Sequence, residues 1–308
     1  MIYTVTLNPS LDLIYTTKKD NIEEYILSSK TMRFPGGKGI NTTRMLNNLG
    51  IPSMATGFLG GNTGQVIKNW FIQNHVDSNF IDIGDENRIN TRIRTPKAQY
   101  TIEGISPKIS DEQLNDLIIY LSKLREGDIL VMGGSIPNNC DPDIYIRLTE
   151  IARANKADFV IDVDAKSMKR LLSYRPLLIK PNINNLAKMF DVDEINTEVD
   201  ILKYGKKCIE LGAKNAIVSI GKDGSYLFTE DNKVYRAYGV EGKVVNSFNS
   251  RDAMIGGFIG VYMRLHEPVE AFRMAAAAAS ATAFVEDLAD KDLTHEIYDK
   301  TKVEEILL

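Results

Sequence analysis

Six short, nearly all-apolar runs, at residues 2–7, 54–58, 128–132, 159–163, 176–179 and 216–220, are separated by segments whose apolar residues recur at helical spacing. Runs rich in β-branched residues and without polar alternation read as strands buried on both faces. The helical patterns between and around them fall at 38–48, 64–74, 111–124, 142–154 and 200–211. This alternation predicts an α/β fold of three layers, a mostly parallel sheet covered by helices on both sides. Such sheets take their ligands in the crevice outside the carboxyl ends of the strands. Polar and glycine residues at those ends are therefore the first candidates for chemistry.

Two stretches, 13–34 and 78–105, break the rhythm. They alternate apolar and polar residues without a crossover helix between strands, the pattern of a sheet with one packed and one exposed face. They predict a small β lid made from two insertions into a core of residues 1–12, 35–77 and 106–308. Residues 224–245 read as hairpins, and 252–265 and 268–284 as two helices. No internal repeat or low-complexity linker interrupts the chain.

Composition narrows the function classes. The 308 residues carry 37 Lys and Arg against 41 Asp and Glu, a formal net charge of -4, so there is no general basic footprint for nucleic acid. The two cysteines, Cys140 and Cys208, lie far apart, and the first residues show no secretory pattern; a reducing, cytoplasmic setting is expected. The longest uncharged apolar-leaning runs, 253–263 and 274–285, fall well short of the ~20 residues that span a bilayer.

Glycine is concentrated at Pro35-Gly36-Gly37-Lys38-Gly39-Ile40-Asn41 and at Gly57-Phe58-Leu59-Gly60-Gly61. A glycine-rich turn that opens a helix lets backbone N–H groups approach an anion, and Lys38 adds a point charge. The same glycines could simply serve tight turns. No Gly-x-x-x-x-Gly-Lys-[Ser/Thr] occurs, which disfavours a P-loop. Asp12 could grip sugar hydroxyls or bond its own backbone in a turn. Gly133-Gly134-Ser135-Ile136-Pro137 and Lys180-Pro181-Asn182 end two further strands, and their convergence favours a crevice site. Asp252 opens a predicted helix and could serve as its N-cap.

The ordered set resembles the ribokinase-like (PfkB) carbohydrate kinases. It comprises Thr6 to Asp12, Pro35 to Asn41, Gly57 to Gly61, Gly134 to Pro137, Ile179 to Asn182 and Val218 to Gly224. The resemblance is strongest to the 1-phosphofructokinase and tagatose-6-phosphate kinase branch and extends from Met1 to about Asp292. It implies transfer of the ATP γ-phosphoryl group to a hydroxyl of a phosphorylated ketohexose. By position, Asp12, Gly37, Lys38, Asn41, Arg88 and Ser135 would bind the sugar phosphate. Asp252 would be the catalytic base, and Lys180 would neutralise phosphate charge. Asn182, Ser219, Gly221, Gly224, Asn249, Ser250, Arg251 and Ala279 would border the nucleotide. Mg²⁺ would accompany ATP, with no protein metal ligand assigned, and the lid could pair two chains into a homodimer.

Departures from the family pattern carry expectations of their own. The family's Gly-Ala-Gly-Asp reads Asn249-Ser250-Arg251-Asp252, and its Asn-x-x-Glu reads Asn182-Ile183-Asn184-Asn185. If the glycine turn is kept, Arg251 in a left-handed conformation would cost ~1–2 kcal/mol. Arg251 could pair with Asp252 and lower its pKa, or clamp the γ-phosphate. The alternatives are an adapted kinase and a catalytically impaired relative that binds sugar phosphate or nucleotide as a regulator.

Overall fold

A computed structural model of the chain describes residues 1–22 and 25–307. Strand β1 (Ile2–Thr6) leads into two strands of a small sheet, β2 (Ser10–Thr16) and β3 (Lys30–Gly36), and then helix α1 (Lys38–Asn48). After β4 (Met54–Leu59), α2 (Gly61–Gln73) and β5 (Ser78–Asp82), strands β6 (Arg88–Arg94) and β7 (Gln99–Ile102) complete the small sheet. The alternation continues through α3 (Asp111–Leu121), β8 (Ile129–Gly133), α4 (Ile144–Ala154), β9 (Asp158–Asp162), α5 (Ala165–Leu171) and β10 (Leu178–Ile179). It closes with α6 (Ile183–Met189), α7 (Glu198–Glu210) and β11 (Asn215–Ser219). The last third holds the hairpin of β12 (Gly224–Thr229) and β13 (Val234–Tyr238), then α8 (Ser250–Leu265), α9 (Pro268–Ala283), α10 (Lys291–Lys300) and β14 (Val303–Glu305).

Among the described residues the large sheet runs β14-β13-β12-β11-β10-β9-β8-β1-β4-β5, and the small one β3-β2-β6-β7. Pairing is parallel from β5 to β11 and antiparallel from β11 to β14. The absence of polar alternation in the central runs has a direct cause in β8. Leu130 and Met132 point into one core, with α3 and α4, while Ile129 and Val131 point into the other, against Phe258 of α8 and Phe272 of α9. Successive strand residues face opposite sides, so a sheet covered on both faces needs apolar residues at every position.

The boundaries differ from the sequence reading in two places. Ser78–Asp82, expected in the lid, pairs in parallel with β4, Ala55 opposite Ser78 through Leu59 opposite Asp82. As an edge strand it is only partly covered, and so shows the same alternation as a two-faced lid strand. The small sheet takes its strands from 10–36 and 88–102, although Glu23 and Glu24 of the first segment lie outside the described residues. Residues 239–245, expected to continue the hairpins, form no strand. Among the described residues no helix is long and apolar enough to cross a membrane.

Candidate functional site

Helix α1 delivers the first charged group. Gly37, its N-cap, has φ 113°, a conformation open to glycine at no steric cost. At Gly39 a Cβ would lie 2.5 Å from Thr6 Oγ1 and 2.6 Å from the Val5 carbonyl oxygen, so the helix starts in direct backbone contact with β1. Lys38 is thereby held at the carboxyl ends of the central strands. Its Nζ donates to the backbone oxygen of Asp162 at 2.9 Å and lies 3.1 Å from the Asp162 carboxylate. Lys180, just past β10 and fully enclosed, brings its Nζ to 3.8 Å from the other carboxylate oxygen.

Asp252 completes this cluster. Burial, and then the nearby Asp162 charge, push its pKa up to about 6 against the opposing pull of Lys38, the Asn41 hydrogen bond and Lys180. Asn41 Nδ2 donates to Asp252 Oδ2 at 2.8 Å. For Asp162, burial pushes upward, but Lys180 and Lys38 outweigh it and hold the carboxylate below its ordinary range. Burial lowers Lys180 despite Asp162. In Lys38 the downward effect of burial is overcome by Asp162 and Asp252. The result is one buried carboxylate poised near neutrality beside two amines.

Three expectations about the start of α8 are corrected. Asn249, not Asp252, is the N-cap; Asp252 sits inside the first turn, its N–H and that of Ala253 donating to the Asn249 carbonyl at 3.1 and 2.9 Å. Asn249 has φ −78°, and neither Ser250 nor Arg251 has positive φ. The left-handed cost expected for Arg251 is therefore absent, because the helix begins two residues early, at Ser250, and absorbs Arg251. Asp252 is raised instead of lowered, by burial and then by the Asp162 charge, while Arg251 borders the neighbouring cleft.

The remaining groups expected at the sugar lie along the small sheet and the strand ends. Asp12 is buried in β2; its Oδ1 accepts from Ser10 Oγ at 2.7 Å and Asn90 Nδ2 at 2.9 Å, and Arg92 lies 3.2 Å from Oδ2. Arg88 enters from the start of β6, with Nε donating to the Asn8 carbonyl at 3.2 Å and Nη1 ion-paired with Glu103 Oε2 at 3.7 Å. Asn8 Nδ2 also donates to Ser135 Oγ at 3.0 Å. Gly37 and Asn41 bracket Lys38 on α1.

Beside the cluster opens a cleft of about 330 Å³, bordered by Asn182, Ser219, Gly221, Gly224, Arg251 and Ala279, with Ser250 at its edge. Asn249 is buried away from it, its amide donating to Asp287 Oδ1 at 3.2 Å. The wall is largely apolar, with Val240, Val244, Met254 and Phe284, as a flat heterocycle requires. At its inner end are Arg251, whose charge reaches Lys38, Lys180 and Asp162, and the N-terminus of α8, where first-turn amides favour an anion. The buried Ser225 hydroxyl in the same wall has no hydrogen-bond partner among the described residues.

The chain belongs to the pfkB family of carbohydrate kinases. Residues 6–293 match that family, described as pfkB family carbohydrate kinase. The chain is 36% identical over 303 residues to the 1-phosphofructokinase of Bacillus subtilis, covering 98% of this chain and 99% of that protein. It is 34% identical over 291 residues to the D-tagatose-1-phosphate kinase of Bacillus licheniformis, covering 94% and 95%. A solved Staphylococcus aureus structure, provisionally named a phosphofructokinase, superposes with a TM-score of 0.87 at 33% identity, covering 99% of each chain. The pfkB kinase fold thus accounts for both sheets and for the helices on either side.

Sequence reasoning missed four residues of this pfkB kinase. Asp162, Asn8, Asn90 and Arg92 all contact groups that it had singled out. Asp162 carried a usable signal, a carboxylate ending a buried strand. Asn90 and Arg92 could have been found from Arg88, since alternate residues of one strand share a face.

Proposed function

We propose that the protein is an ATP-dependent kinase that phosphorylates a hydroxyl of a ketohexose phosphate, with Asp252 as the general base. The observation that carries this reading is the enclosed Asp252 carboxylate with a pKa of about 6, next to a cationic, helix-capped cleft. A base with that pKa is ionised at neutral pH yet basic enough to accept a proton in the transition state. The sugar phosphate would lie between Lys38, Arg88 and Ser135, its hydroxyls toward Asp12 and Asn41. The apolar cleft would take the adenine, and Ser219, Gly221 and Gly224 would face the triphosphate.

In the transfer step the substrate hydroxyl loses its proton to Asp252 and its oxygen bonds to the γ-phosphorus. The bond from that phosphorus to the bridging oxygen breaks, and ADP leaves with its electrons. Lys38, Lys180, Arg251 and the amides of α8 would spread the charge that develops on the γ-phosphoryl oxygens. The helical conformation of Arg251 and its place at the border of the cleft support an adapted kinase. No observation favours the regulator.

Among the described residues no cluster of three or more His, Cys, Asp or Glu side chains could hold a metal ion. Asp162 is engaged by two lysines, Asp252 by Asn41, and the Asn182 side-chain oxygen by the Asn185 amide at 2.8 Å. Mg²⁺ would instead arrive on ATP, held by its phosphate oxygens.

The relatives weight the substrate toward ketohexose 1-phosphates. A coupled assay of ADP release against fructose 1-phosphate, tagatose 1-phosphate, fructose 6-phosphate and tagatose 6-phosphate tests this. Turnover only with the 6-phosphates would reverse the assignment, and none with any would remove the kinase reading.

The small sheet would act as the lid over the sugar. Its outer face, with Leu13, Tyr15, Ile89, Ile93, Tyr100 and Ile102 on the side opposite Asp12 and Asn90, suits a second copy of the chain. Replacing Ile89 and Ile102 with Glu should leave a monomer in sedimentation. An unchanged mass would place any oligomer interface elsewhere.

A further inference from the structure

The Asn41 amide that meets Asp252 belongs to a longer circuit. Arg44, one turn further along α1, is buried; its Nη1 donates to Asn41 Oδ1 and to the Pro35 carbonyl, each at 3.4 Å. Its Nη2 is ion-paired with Asp287 Oδ2. Asp287 Oδ1 accepts from Asn249 Nδ2 at 3.2 Å. The backbone oxygen of Asn249 accepts from the Asp252 N–H, which returns to the starting residue.

The chemistry of these groups makes the circuit directional. Arginine offers donors only, so the Asn41 atom facing it must be the carbonyl oxygen, and the NH₂ must then face Asp252. An ionised Asp287 accepts only, which fixes the guanidinium on one side and the Asn249 amide on the other. The guanidinium is further confined between the rings of Phe34, 5.3 Å away on β3, and Trp70, 5.2 Å away on α2. Asp252 is therefore held through its carboxylate by α1 and through its backbone by the segment after α9.

We propose that Arg44 and Asp287 are positioning residues that orient the base Asp252, through Asn41 on its side chain and Asn249 on its backbone. This rests on Asp252 being the base. Freed from Arg44, Asn41 can turn its oxygen toward the carboxylate. That replaces a hydrogen bond favouring the ionised form with a repulsion, and so raises the Asp252 pKa. The other groups facing Asp252 are Asp162 at the end of β9, Lys38 on α1 and Lys180 after β10, and none is altered by changes at 44 or 287.

The test uses Arg44→Lys, Asp287→Asn and the milder Asn249→Ala, each checked for folding by thermal melting. Carboxyl ¹³C titration of the free protein, with the Asp252 signal assigned from Asp252→Asn, reads the base without any turnover. In Arg44→Lys and Asp287→Asn the Asp252 pKa should rise by on the order of half to one unit. kcat should fall ~10–100-fold, as for a misplaced catalytic group, with the KM for ATP nearly unchanged. Asn249→Ala should lower kcat without moving the titration, because it cuts only the backbone arm. Folded Arg44→Lys or Asp287→Asn protein with an unshifted titration and wild-type kcat would overturn the proposal. Absence of turnover in the wild type would instead remove the kinase reading, and the titration would still decide the circuit.

Discussion

Lys38 holds Asp162 at two points, donating to its backbone oxygen at 2.9 Å and lying 3.1 Å from its carboxylate. Lys180 adds a second cation on the far oxygen, so one buried acid keeps two amines in place beside the base. Asp162 also raises Asp252 through its charge. Neutralising it with Asp162→Asn should therefore lower the Asp252 pKa, and the acid limb of the kcat profile should move below pH 6. A limb that stays in place would show that burial alone sets the basicity of Asp252.

Asp252→Asn should abolish transfer by ~10²–10⁴-fold, the usual contribution of a general base. The same change should stabilise the fold at neutral pH. The folded pKa lies above the ordinary carboxylate value, so the folded state favours the protonated form. The penalty for ionisation is full above about pH 6 and is relieved as pH falls through it, on the order of 3 kcal/mol. Thermal melts should show the mutant ahead of wild type at pH 7.5 and the gap closing by pH 4.5. A mutant melting no higher at pH 7.5 would mean that Asp252 is solvated in solution.

Arg251→Gly, which restores the family residue, should lower kcat ~10–100-fold, because charge-assisted bonds contribute about 1.5–3 kcal/mol. The salt dependence of the ATP KM should weaken with it. A faster Arg251→Gly enzyme would mean that the arginine obstructs the anion site, and unchanged kinetics that it never meets the nucleotide.

Arg88 tests the sugar end. The Arg88→Ala protein should bind the substrate phosphate ~10–100-fold more weakly by calorimetry, through loss of a charge-assisted contact. ATP binding should be unaffected. Equal sugar-phosphate affinity in the two proteins would exclude Arg88 from the site.

The parallel core could be read from the chain because a strand buried on both faces must be apolar at every position, as Ile129 to Met132 show. The glycine-lysine helix start and the ordered strand-end motifs were likewise local patterns, which sufficed for the family and for most of the cleft. The allotment of Ser78–Asp82 could not be read, because a half-covered edge strand and a lid strand share one alternation and only pairing separates them. Nor could the helical state of Asn249 and Arg251, which depends on contacts such as that of Asn249 with Asp287, 38 residues away. The basicity of Asp252 was beyond any local reading. It arises from burial and the Asp162 charge, opposed by Lys38 and Lys180, all of which come together only when β9, α1, β10 and α8 assemble. Residue identity determines which side chains can ionise, whereas the folded surroundings decide how readily they do so.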